Sequence, residues 1–175
     1  LWIMDLGAHD DKLVNQASGS GRMMAITTKR RVPAVEGLFT MGGEPQLIGG
    51  RLLDTGGYCF PRDLGGADPS CPSSGVEEVL LTRRGRIWSF TNSAYPPPPP
   101  FVVTEPYVPV VVAAVELDVE RMVVLGQVVP DFAVGDLEVG MEVELELGVL
   151  YEDEETEYLT WQWRPVLGES ATGVN

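Results

Sequence analysis

The chain has 175 residues, 44 % of them hydrophobic and 22 % charged, and its twelve Lys plus Arg against twenty-six Asp plus Glu leave a net charge of −14. That is the composition of one soluble domain, long enough to bury roughly two-thirds of its unfolded surface without a metal or a disulfide, and no apolar run approaches the roughly 18 residues of a membrane span. Residues 1–86 hold ten basic and ten acidic side chains, whereas 87–175 hold two basic (Arg121, Arg164) and sixteen acidic; the second half repels polyanions, which argues against unassisted nucleic-acid binding.

Leu1 to Arg22 ends in Ala17-Ser18-Gly19-Ser20-Gly21-Arg22, ahead of Met23-Met24. Residues 1–23 read as a spacer, tag or remnant of an upstream domain. They hold the only histidine, His9, and one of the two lysines, Lys12, the other being Lys29. Common general bases and Schiff-base amines are therefore nearly absent from the rest. No basic-then-apolar leader is apparent, so the expected compartment is the cytoplasm, where Cys59 and Cys71 stay as free thiols.

Residues 24–78 are expected to form an N-terminal arm and a small satellite unit of short hairpins. Gly42-Gly43, Gly49-Gly50, Gly56-Gly57 and Gly65-Gly66 mark its tight turns. Residues 79–166 change to β-branched, alternating segments: Val79 to Thr91, Val108 to Leu117, Arg121 to Val129, Met141 to Val149 and Glu157 to Arg164. No comparable window shows a helical apolar stripe, and Pro or Gly interrupts most gaps. The expected fold class is all-β, a five-stranded barrel of the oligonucleotide/oligosaccharide-binding (OB) type, with 167–175 as a tail.

The fourth strand shows the patterning best. Met141, Val143, Leu145 and Leu147 alternate with Glu142, Glu144 and Glu146, so period two puts the apolar set inside and the carboxylates in solvent. One solvated face gives these glutamates no unlike environments to split their pKa values, so they do not read as a catalytic pair. The acidic run Glu152 to Glu157 lacks the spacing and turn glycine of a calcium loop. In the fifth strand Trp161 and Trp163 share a face.

Trp88 and Phe90 alternate in Ile87-Trp88-Ser89-Phe90-Thr91, beside the one local basic cluster, Arg83, Arg84 and Arg86. Aromatics on an OB strand serve as base-stacking platforms or as docking residues; the acidic second half favours docking. Pro96 to Pro100 makes a stiff polyproline connector between Tyr95 and Phe101. Around Cys71, Cys71-Pro72-Ser73-Ser74-Gly75 has the outline of a zinc knuckle with serine at the second ligand position, and the matching upstream positions are Leu52 and Thr55. One thiolate of four does not hold a tetrahedral zinc.

The ordered set Pro45-Gln46-Leu47-Ile48-Gly49-Gly50-Arg51, Phe60-Pro61-Arg62, Cys71-Pro72-x-x-Gly75, Gly85-Arg86-Ile87-Trp88-Ser89-Phe90-Thr91, the prolines through Phe101, Pro106-Tyr107, Leu125-Gly126 and Val139-Gly140-Met141-Glu142-Val143 resembles the acyl-CoA-associated OB-fold family. That family, also called domain of unknown function thirty-five, pairs a rubredoxin-like zinc ribbon with an OB barrel. The resemblance covers about residues 32–166.

It implies a non-catalytic subunit docked on a thiolase-like enzyme, a thiolase or a lipid-transfer-type aldolase of steroid side-chain breakdown, in a hetero-oligomer built on a partner dimer. The partner would hold the catalytic residues and the acyl-CoA; this chain would carry no catalytic residue, no metal and no directly bound cofactor. The ribbon would persist without zinc, its four ligand positions being Leu52, Thr55, Cys71 and Ser74. The expected partner-binding residues are Arg84, Arg86, Trp88, Phe90, Tyr95, Phe101 and Tyr107. The alternative is a stand-alone OB module for single-stranded nucleic acid or another ligand.

Overall fold

The computed structural model describes residues 29–64, 75–96 and 105–167. The spacer, Cys71, Ser74, Pro97 to Pro100, Phe101 and nearly all of the tail lie outside the described residues. Nine strands follow in order: β1 (Arg30–Pro33), β2 (Ile48–Leu52), β3 (Tyr58–Cys59), β4 (Val76–Leu80), β5 (Arg84–Ser93), β6 (Val110–Leu117), β7 (Val123–Val128), β8 (Glu142–Glu152) and β9 (Thr156–Pro165). The only helical pieces among the described residues are two three-residue 3-10 turns, Arg62–Leu64 and Val134–Asp136. No described helix is long and apolar enough to cross a membrane.

Strands β5 to β9 close into a five-stranded barrel in the order β5-β6-β7-β9-β8 and back to β5. Every pairing is antiparallel except β7 with β9, which run parallel over Gln127↔Gln162 and Val128↔Trp163. This is the OB barrel expected from the sequence. Strand β1 adds to the outside as a parallel neighbour of β9.

The first barrel strand differs from the expectation. Val79 to Thr91 is not one strand: Val76–Leu80 pairs with β2 in a separate three-stranded sheet, β3-β2-β4, and the chain enters the barrel at Arg84. The change of sheet at Leu81–Arg83 is held from outside, because Thr82 donates its backbone N–H to Glu120 Oε1 at 2.9 Å and Leu145 donates to Arg83 O at 2.8 Å. The sheet break therefore falls a few residues after the expected boundary at 78/79.

Alternation puts Ile87, Val115, Leu117, Val143, Leu145, Leu159 and Trp163 in the barrel interior, all essentially inaccessible. Phe39, Leu47 and Leu81 from the N-terminal unit join the same buried cluster. The small sheet is thus a cap on the barrel and not a satellite: Phe39 and Phe60 meet Trp161 edge-on, at centroid distances of 6.1 and 5.5 Å. Such aromatic contacts add to the area they bury. Gly126 on β7 makes room for both tryptophans, since a Cβ there would lie 2.6 Å from the indole nitrogen of Trp163 and 2.9 Å from that of Trp161. Where β7 and β9 part company, the Trp161 indole N–H donates to Leu125 O at 2.9 Å and seals the seam.

A candidate docking surface

Register decides which side chains the barrel presents outward. At the start of β5, Arg84 and Arg86 face outward, but they are not free. Arg84 donates to Glu142 at 3.3 Å and to Glu144 at 3.4 Å across the β5–β8 pair, and Arg86 donates to Gly140 O at 3.2 Å. Arg83 reaches Glu144 at 3.1 Å and Glu44 at 3.6 Å. On the other side of β8, Arg164 grips Glu146 with two hydrogen bonds, 2.6 and 3.0 Å, and also meets Asp131 at 3.1 Å. The carboxylates holding its guanidinium push its pKa further above the ordinary arginine value, so it stays charged. The three glutamates are half-buried and paired, where the sequence reading put them in open solvent.

Beyond Arg86 the face changes character. The row Arg86–Glu116–Val123 is the last with charges; the next outward rows are Ser89–Ala114–Leu125 and Thr91–Val112–Gln127, followed by Ser93–Val110. None of these positions carries charge, in a chain whose residues are 22 % charged. Leu125 is 64 % exposed, Val123 45 % and Trp88 63 %. This neutral face of mixed apolar and small polar side chains, with Leu125 and Trp88 exposed, is a candidate docking surface.

A β-bulge between Ile87 and Ser89 corrects one candidate. Trp88 is the extra residue and stays outside, while the changed phase turns Phe90 onto the core cluster. Trp88 and Phe90 do not share a face as simple alternation predicts. Tyr95 is exposed. Tyr107 is half-buried and ties the far end of the connector to β5, its hydroxyl donating to Ser93 O at 2.8 Å. Phe101 lies outside the described residues. Sequence reasoning missed Leu125 and Val112; the signal available was the lack of any charge in Val108 to Val115 and Val123 to Val129, segments read only as strands.

In the N-terminal unit Leu52–Gly57 forms a tight turn, closed by Leu52 N–H to Gly57 O at 2.8 Å and Gly56 N–H to Leu52 O at 2.9 Å. Leu52 has no ligating atom, and the Thr55 hydroxyl accepts from the Gly57 N–H at 3.2 Å. These residues do not fit a zinc ion. Among the described residues no cluster of three His, Cys, Asp or Glu could hold a metal. Cys59, the one free cysteine described, has its thiol 3.8 Å from Arg62 O and no basic or imidazole partner among the hydrogen bonds it makes.

Residues 78–147, from the end of β4 through the first half of β8, match the family model of the ChsH2 C-terminal OB-fold domain. That stretch of the barrel is similar to the OB-fold domain of the DUF35 family. Among solved structures it is similar to a chain of the Ltp2-ChsH2(DUF35) aldolase, with 28 % identity and a TM-score of 0.50, over 69 % of this chain and 84 % of that one. No curated protein matches in sequence.

Proposed function

We propose that this chain is a non-catalytic OB-fold subunit that docks on a lipid-transfer-type, thiolase-like enzyme and supports its action on acyl-CoA carbon–carbon bonds, including those of steroid side chains. The likeness to a chain of the Ltp2-ChsH2(DUF35) aldolase carries this reading. The surface agrees with it: a neutral face centred on Val112 and Leu125, flanked by Trp88, offers contact area. In this reading Trp88 and Tyr95 are contact residues. Arg84 and Arg86 bound the face and are already neutralised, Phe90 supports it from the core side, Tyr107 fixes the connector, and Phe101 belongs to that connector.

The direct test is to express the chain with an affinity handle in its native host and capture it under mild salt. The captured proteins are then quantified by mass spectrometry. A lipid-transfer- or thiolase-like protein at near-equal amount is expected. Recovery of the chain alone, or with nucleic acid, overturns the proposal.

A further inference from the structure

Where the neutral face meets the bulged half of β8, two hollows join. One, of about 270 Å³, is walled by Val108, Val110, Phe132, Val149 and Leu150 and contains Gln127 and Gln162 in its lining. The other, of about 210 Å³, shares Gln127 and Leu150 and runs on to Leu125 and Trp161. No charged side chain lines either hollow.

The polar group in the groove is unusual for its setting. Gln162 is 4 % exposed, yet among the described residues its side chain makes one hydrogen bond, from Nε2 to Gln127 Oε1 at a long 3.4 Å. A primary amide can make four, so most of this capacity is not used by the described residues. The neighbouring strand has given up a side chain to seat it: a Cβ on Gly148 would lie 2.1 Å from Oε1, 2.3 Å from Cδ and 2.6 Å from Nε2 of Gln162. An apolar residue at 162 would fill this space at no polar cost. The amide lines the groove with hydrogen-bonding capacity to spare.

We propose that this groove is a binding site for a small uncharged ligand whose apolar body lies against Val108, Phe132 and Leu150 and whose own amide pairs with Gln162 and Gln127. A ligand carbonyl would accept from Gln162 Nε2, and a ligand N–H would donate to an amide oxygen. A charged ligand is excluded, because nothing in the lining would offset its desolvation. The larger hollow stands near the lower end of the roughly 300–1,000 Å³ usual for ligand sites, with the expected pattern of apolar walls and few polar groups. The groove borders the docking face, sharing Gln127 with it, but its ligand contacts lie wholly within this chain, so the free chain tests it apart from the docking reading.

The test is a ligand-observed NMR titration of the full free chain with N-hexylacetamide, with hexanoate and toluene as comparisons. Saturable binding of the amide at about millimolar strength is expected, with hexanoate at least about tenfold weaker. Gln162→Met keeps the shape and removes the amide; it should weaken N-hexylacetamide about tenfold and leave toluene unchanged, with a melting temperature no lower than that of the parent chain. If that variant does not fold, Gln127→Leu at the half-buried partner gives the same comparison. Non-saturable binding of the amide, equal binding of hexanoate, or equal amide affinity in the variant overturns the proposal.

Discussion

The two halves of β5 lie on one outward face and behave oppositely. Arg84 and Arg86 are locked to Glu142, Glu144 and Gly140 across the strand pair, whereas Ser89, Thr91 and Ser93 look onto Ala114, Val112 and Val110 with no charge in sight. A paired charge must be stripped of water, and often of its partner, before it can contact a second protein. A neutral row carries no such penalty. In the proposed docking reading, the basic cluster, the more conspicuous signal in the sequence, marks the border of the face and not its centre.

The sharpest way to break this contrast is to put a charge in the neutral half. Leu125→Asp should weaken assembly with the captured enzyme partner by about a hundredfold or more while thermal unfolding of the free chain stays nearly unchanged. A variant that assembles at full strength would move the interface elsewhere. Trp88→Ala should weaken assembly by about tenfold, measured by titration against the same partner. In the charged half, Arg84→Ala should leave assembly intact and cost at most about 1 kcal/mol of stability in denaturant unfolding, less at high salt, because the pair is exposed.

The smallest effect concerns the β8–β9 turn, far from both halves. Asp153 Oδ1 accepts from the backbone N–H of Glu155 at 2.9 Å and of Thr156 at 2.7 Å, and Tyr158 donates to Oδ2 at 3.2 Å. These bonds, the Glu155 N–H first, hold its carboxyl below its ordinary value of 3.8. A depressed folded-state pKa means that its stabilising effect is complete above 3.8 and fades as pH falls through the lowered value. The Glu155 and Thr156 amide resonances should therefore titrate with a midpoint below 3.8 in an NMR pH series. A midpoint at or above that value would contradict this geometry.

How far these features were legible in the sequence depends on the range of the interaction that makes them. Period-two alternation in Glu142 to Leu147 is local, and it correctly separates the buried Val143 and Leu145 from the glutamates. The pairing of those glutamates is not local. Arg84 meets partners 58 and 60 residues away, so no window of the sequence shows that the basic cluster is spent. The strand break at Leu81–Arg83 has no Gly or Pro to mark it, since it is set by Glu120 from the distant β6–β7 hairpin. Phe90 was misplaced for a related reason: a bulge at Trp88 leaves no compositional trace, yet it inverts every side chain that follows. The ordered motifs, by contrast, pointed to the family that the comparisons support, and one of them holds Gly126 against two indoles.

Strand β1 pairs in parallel with β9, Arg30 beside Thr156 and Pro33 beside Leu159. The register spans 156 − 30 = 126 positions, so on the ribosome the earliest strand made must wait for the last one before it has a neighbour. A growing chain would hold Arg30–Pro33 as an open edge until β9 has been made. Its sequence, Arg-Arg-Val-Pro, suits that wait: two positive charges and a terminal proline make a poor template for stray strand addition. Translation therefore sets the docking of β1 after the synthesis of β9, the same strand that closes the barrel.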